Sequence, residues 1–173
     1  MTSLHHYTPS LTAIDPRGLS VRRVNYHRLS VHEPPQSRIH QSRYDTRGSL
    51  AQQWDPRLLA REAITPEAQP NLRYLSSLSG QIVKTDSVDS GWHVTLCGTG
   101  LQTLATWDAR GNHQRFEYDT HARLMAIHEQ LSNDPQPRCI ERFTYGKPQP
   151  RINSTNQCGR LIRHDDPAGA VLF

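Results

Sequence analysis

The sequence predicts an all-β fold built as a strip of antiparallel strands. Three observations carry that expectation: a recurring Asp-x-x-Gly turn signature, short β-forming segments between the turns, and a sparse supply of apolar residues. Leu, Ile, Val and Phe make up only 20% of the 173 residues, and the hydrophobic total is 35%. A formal net charge of +4 is too small to hold such a chain unfolded by self-repulsion. The composition therefore suits a thin sheet with one packed face per strand better than a thick layered domain.

The turns come first. Asp15-Pro-Arg-Gly18, Asp45-Thr-Arg-Gly48, Asp108-Ala-Arg-Gly111 and Asp166-Pro-Ala-Gly169 share one pattern. Asp at the first position of a type I turn caps the backbone, and Gly takes the fourth or a following left-handed position. Gly48 lies 30 residues after Gly18, Gly80 lies 32 further on, and Gly111 another 31. A period near 30 is the mark of a repeat array whose units are too small to bury a face alone. An aromatic residue precedes the Asp at Tyr44-Asp45, Trp107-Asp108 and Tyr118-Asp119.

Strand-like segments follow the turns: Leu19-Ser-Val21, Leu50 to Trp54, Gln81-Ile82-Val83 and Arg123 to Ile127. Trp92 to Cys97 alternates, Arg115 to Tyr118 alternates briefly, and Cys139 to Tyr145 is rich in β-formers. The Gly-rich Cys97-Gly98-Thr-Gly100 reads as a hairpin turn. Leu124, Ile127 and Leu131 could share a helical face, but the Tyr-Asp turn ahead of them favours a strand. Trp54 to Ala68 reads as an irregular loop or a single helical turn, because Pro56, Pro66 and Pro70 bound it. Gln130 to Arg138 and Lys147 to Asn156 read as exposed connections. The expected organisation is one partial repeat region, with N-terminal repeats and a Pro-rich loop over 1–70 and further repeats over 71–173.

Charge and reactive residues narrow the function classes. Residues 1–64 carry nine Arg against five acids, whereas residues 65–173 balance eleven against eleven. The Arg residues are dispersed apart from Arg22-Arg23, without the clustered basic stripe of a nucleic-acid surface. No nucleic-acid partner is therefore expected. Cys97, Cys139 and Cys158 are odd in number and lack Cys-x-x-Cys spacing, so they read as free thiols. His93 and Cys97 lack further ligands at zinc-site spacing, and no metal or cofactor is expected. Asp165-Asp166 points its carboxylates to opposite faces of a strand. No acid, base and nucleophile assemble, so no catalytic residue is assigned. No apolar run approaches the roughly 18 residues of a membrane-spanning helix, and Met1 to Ser10 lacks the pattern of a cleavable signal.

Tyr44-Asp-x-x-Gly48-x-Leu50, the variant Tyr118-Asp119-x-x-x-Arg123-Leu124, and Asn156 to Gly169 around Gly159 resemble YD (Rhs) repeats. The order of segments resembles the N-terminal region of the C component of bacterial insecticidal toxin complexes. Those segments are Thr8-Pro9, Asp15 to Leu19, Trp54-Asp-Pro-Arg57, Leu78-Ser-Gly80, Ser87 to Trp92, Glu141 to Gly146 and Ile162 to Asp165. The resemblance implies a spiral of antiparallel strands that forms, with a B component, a hollow β-shell around a toxic segment. It implies structural roles for Tyr44, Tyr118, Trp107 and Trp54. The family continues for several hundred residues, through a self-cleaving site and a toxin, and those residues find no position here. The chain is thus read as a piece of a C component or as an orphan derivative, noncatalytic and structural. Its expected partners are the B component or the remainder of a C component, with self-association through edge strands. Its expected location is outside the cell as part of a complex, after a cytoplasmic stage. The rival reading is an orphan interaction or carbohydrate-binding module using Trp54, Trp92 and Trp107.

Overall fold

A computed structural model describes residues 4–65, 67–147 and 157–173. The expected connection from Lys147 to Asn156 thus falls, beyond its first residue, outside the described residues, as does Pro66. The chain forms two compact units, Met1–Trp92 and His93–Phe173. The architecture is all-β, with thirteen strands and one helix among the described residues.

The first unit contains β1 (Leu11–Ile14), β2 (Ser20–His27), β3 (Gln36–Tyr44), β4 (Leu50–Trp54), the helix α1 (Pro56–Glu62), β5 (Leu72–Ser76) and β6 (Ile82–Ser87). Each strand pairs antiparallel with its neighbour in sequence. The second unit is the same kind of meander. It contains β7 (Gly91–Cys97), which starts at the boundary, β8 (Thr103–Asp108), β9 (His113–Tyr118), β10 (Leu124–Gln130), β11 (Arg138–Tyr145), β12 (Leu161–Asp166) and β13 (Gly169–Leu172). The segment Leu124 to Gln130 is a strand, paired on both sides. The nine-residue β3 carries mostly polar side chains, and its central position follows from its two partners rather than from its hydrophobicity.

Trp54 to Ala68 departs from the expected loop or single turn: residues 56–62 form a helix. Asp55 accepts the Leu58 amide as N-cap (2.8 Å). Pro56 occupies the first turn, where its missing N–H is no loss. Pro56 thus bounds the helix at its start. Arg43 links the helix to β3 through Glu62 (2.7 Å) and lies 5.0 Å from the Trp54 ring centroid.

Little is buried. Among the described residues only Trp54, Pro70, Ala105 and Ala126 are buried, and Trp54 retains 3% exposure. The accessible surface of 12714 Å² exceeds even the roughly 10,400 Å² of two separate compact domains of half this mass. Low apolar content in the sequence thus becomes, in the fold, sheet faces without a cover. Trp54 is the largest buried side chain, so Trp54→Ala is expected to destabilise the first unit by about 3 kcal/mol, read as a lower midpoint in urea unfolding followed by far-ultraviolet circular dichroism.

Candidate functional site

The most regular feature is the set of hairpin turns. At Asp15, the Gly18 amide donates to the Asp15 carbonyl (2.9 Å), and the Asp15 amide donates to the Leu19 carbonyl (2.9 Å). The same two bonds recur at Asp45 with Gly48 and Ser49, and at Asp108 with Gly111 and Asn112. They recur again at Asp119 with Ala122 and Arg123, and at Ser77 with Gly80 and Gln81. A type I turn followed by a left-handed residue makes this pattern, and the extra residue enters as a bulge. Ladder registers shift between Ala13 and Ile14, Arg43 and Tyr44, and Leu75 and Ser76, immediately before these turns. Gly18, Gly48, Gly80 and Gly111 have φ between 81° and 88°, where a Cβ is strained.

The aspartate does more than open the turn. Its Oδ1 accepts two backbone amides, two and four residues on. The pairs are Arg17 and Leu19 for Asp15 (2.9 and 3.0 Å), Arg47 and Ser49 for Asp45 (2.9 and 2.8 Å), Arg110 and Asn112 for Asp108 (both 2.9 Å), and His121 and Arg123 for Asp119 (2.8 and 3.0 Å). These amides hold all four carboxyls below the ordinary carboxylate value, the amide four residues on contributing most in each. Asp119, which also receives the Arg123 guanidinium, sits at about 2. Burial would raise Asp55, but the Leu58 amide, the Asn71 side chain and Arg57 outweigh it and bring it to about 2.

Tyrosines tie successive turns together. The Tyr44 hydroxyl donates to the Ser20 carbonyl (3.0 Å), that of Tyr118 to Thr103 (2.7 Å), and that of Tyr145 to Leu124 (3.1 Å). Each tyrosine ends one strand and caps the carbonyl where the preceding strand leaves its own turn. Arginines add a second link: Arg17 Nη1 donates to the Asp45 carbonyl (3.2 Å), and Arg123 Nη1 to the Gly159 carbonyl (3.1 Å). Arg123 also lies over the Tyr145 ring at 4.5 Å.

The structure sorts the expected turn residues into kinds. Asp15, Gly18, Asp45, Gly48 and Gly80 close the turns that lead out of β1, β3 and β5. Asp108 and Gly111 join β8 to β9, at the end of the second unit opposite the Tyr118–Asp119 turn. The third step of the near-30 period, from Gly80 to Gly111, therefore pairs turns of different kinds. Trp107 does not cap a carbonyl as the tyrosines do; it stacks on His113 at 4.9 Å. Asp166 and Gly169 pair directly across a two-residue Pro167-Ala168 turn, without a bulge. Gly159 belongs to a turn that begins at Gly146, where the Gly146 amide donates to the Arg160 carbonyl and the Gly159 amide to the Gly146 carbonyl (2.9 and 2.8 Å). This is the same bonding scheme with a long insertion, and Gly replaces the aspartate because a Cβ there would collide with the Gln157 carbonyl.

Two further turns carry no complete signature in the sequence. Gly98 to Gln102 makes the same pair of bonds with Leu101 at φ 63°, and Ala122 takes φ 58° after Asp119. Neither left-handed position carries the glycine that marks the others. As for the aromatic platform, Trp54 is buried and Trp107 stacks within the sheet, which leaves Trp92, 37% exposed beside Lys84.

No family model matches the chain. It is 30% identical over 173 residues to toxin subunit YenC1 of Yersinia entomophaga, covering 97% of this chain and 18% of the relative. It is 32% identical over 180 residues to toxin subunit YenC2 of the same organism, covering 95% and 18%. The crystal structure of TcdB2-TccC3 matches with a TM-score of 0.89 and 32% identity, over 96% of this chain and 8% of that one. The Tc holotoxin pore of Photorhabdus luminescens matches with a TM-score of 0.87 and 32% identity, over the same shares. The chain spans less than a fifth of the length of the two toxin subunits.

Tyr118→Phe removes the hydrogen bond to the Thr103 carbonyl and is expected to cost about 1 kcal/mol in urea unfolding. Asp119 has a lowered folded value, so its contribution is full above the ordinary carboxylate range and is lost as pH falls toward about 2. Thermal melts from pH 6 to pH 2 should show Asp119→Asn less stable than the parent at the upper end and converging with it at the lower. Over 95% or more of its length, the chain is homologous to a segment of the toxin subunits YenC1 and YenC2, with the β-strand architecture found in TcdB2-TccC3.

Proposed function

We propose that this chain is a noncatalytic structural segment of a toxin-complex C component, which together with a B component encloses a toxic polypeptide. The observation that carries the reading is the unpaired edge at each end of the strand series, on a fold that matches TcdB2-TccC3. Among the described residues β1 pairs only with β2, and β13 only with β12. Leu11, Ile14, Val171 and Leu172 on these edges are 49%, 66%, 52% and 75% exposed. A strand edge offers a row of backbone donors and acceptors that further strands complete. The sparse interior favours the same role, since uncovered faces gain stability when a larger shell buries them.

The Tyr-Asp turns supply the mechanics. Each one fixes where a strand reverses and hands its register to the next hairpin, so a long series can grow without a thick core. Tyr44, Tyr118, Asp15, Asp45, Asp119, Gly18 and Gly48 are the residues assigned to that task, with Asp108, Gly111, Asp166 and Gly169 at the reversals between them. In this reading the protein reaches the outside of the cell with its complex.

Size-exclusion chromatography with light scattering should show the purified chain associating with rising concentration, and Val171→Lys on the β13 edge should suppress that association. Co-expression with a B component related to TcdB2 should give one co-eluting complex. A monodisperse monomer at every concentration that also elutes apart from the B component would overturn the reading.

A further inference from the structure

The strand register gathers on one face of β2, β3 and β4 a set of hydrogen-bond donors that the sequence scatters over thirty residues. Arg23 stands directly opposite His40, Asn25 opposite Arg38, and Ser42 opposite Gln53. Alternation along the strands puts these six side chains on the same side. Arg23, Asn25, His40, Ser42 and Gln53 line a recess of about 280 Å³.

The polarity of this recess is one-sided. β1, β2, β3 and β4 contain no acidic residue. The carboxylates nearest in sequence, Asp45 and Asp55, are turned into their own hairpin turn and helix cap. The amide oxygens of the recess are already engaged: Ser10 donates to Asn25 Oδ1 (2.8 Å), and the Tyr74 hydroxyl donates to Gln53 Oε1 (2.8 Å). Each amide therefore keeps its NH₂ group for another acceptor. Arg23 has no side-chain acceptor among the described residues, although elsewhere Arg17, Arg47 and Arg57 fold back on the aspartate two residues before them. An arginine set across a strand pair from an imidazole is an unfavourable neighbour when both carry charge, and a bound anion removes that cost.

We propose that this recess is an oxyanion site, taking a single carboxylate or phosphate group. Arg23 supplies a two-pronged, charge-assisted contact, and Asn25, Ser42 and Gln53 supply neutral donors around it, with His40 beside them. The site lies on a sheet face rather than on the strand edges, so it goes beyond the shell reading and stands independently of it.

The test is nitrogen-15 NMR of the full chain, following the side-chain NH₂ resonances of Asn25 and Gln53 during titration with inorganic phosphate and, separately, with acetate. Saturable shifts in both resonances are expected with at least one of the two anions, and sodium chloride at matched ionic strength should leave them in place. A response to phosphate alone identifies a phosphoryl ligand, and a response to acetate identifies a carboxylate. Arg23→Gln should weaken the apparent affinity about tenfold, the scale of one charge-assisted contact. Ser42→Asp, which sets a carboxylate in the recess, should abolish the shifts, whereas Arg47→Gln should leave them unchanged. Shifts that chloride reproduces, or none with either anion in the parent chain, would overturn the assignment.

Discussion

One hydrogen-bonded device carries this structure: a carboxylate oxygen that accepts two backbone amides as the chain reverses direction. It appears at Asp15, Asp45, Asp108 and Asp119, each time with the amides two and four residues on. In an ordinary domain such turns decorate a core that supplies most of the stability. Here the core amounts to a few side chains, so turn chemistry and ladder hydrogen bonds take a larger share of the work. The carboxylates must be charged to do this well, and the lowered values of these aspartates express the same interaction.

A turn fixes one hairpin, and the tyrosine before the aspartate fixes the relation between hairpins. At Tyr44 and Tyr118 the hydroxyl donates to the carbonyl of the first residue of the preceding strand. The Tyr-Asp pair thus couples a local reversal to its neighbour, which is what a repeating, coreless sheet requires. Arg17 and Arg123 reinforce the coupling from the other direction. The same arrangement accounts for part of the basic composition, since Arg17, Arg47 and Arg57 each place their charge against a neighbouring aspartate.

The parts of this scheme that depend on one residue's special chemistry were legible in the sequence. Aspartate at a turn start and glycine at a left-handed position answer to local backbone geometry alone, and Gly18, Gly48 and Gly80 mark real hairpin turns. What was not legible depends on register. The acceptors of Tyr44 and Tyr118 are backbone carbonyls on another strand, which no side-chain pattern announces. Leu101 and Ala122 adopt the glycine conformation without being glycine. Pro56, one of the prolines that bound Trp54 to Ala68, is the first residue of a helix, because its meaning turns on whether Asp55 caps the chain ahead of it. The oxyanion recess belongs to the same class: Arg23, His40 and Gln53 are ordinary surface residues apart and become a site only when the ladder sets them side by side.

Native-state hydrogen exchange tests most directly whether the turns hold the sheet together. The amides of Leu19, Ser49, Asn112 and Arg123 all donate to an aspartate Oδ1 at the start of a strand. They should exchange as slowly as amides in the middle of the ladders, such as those of β2 and β10, and should open together with them as denaturant is added. Fast exchange at these four amides while the mid-strand amides stay protected would show that the turns fray independently, and that the sheet does not depend on them.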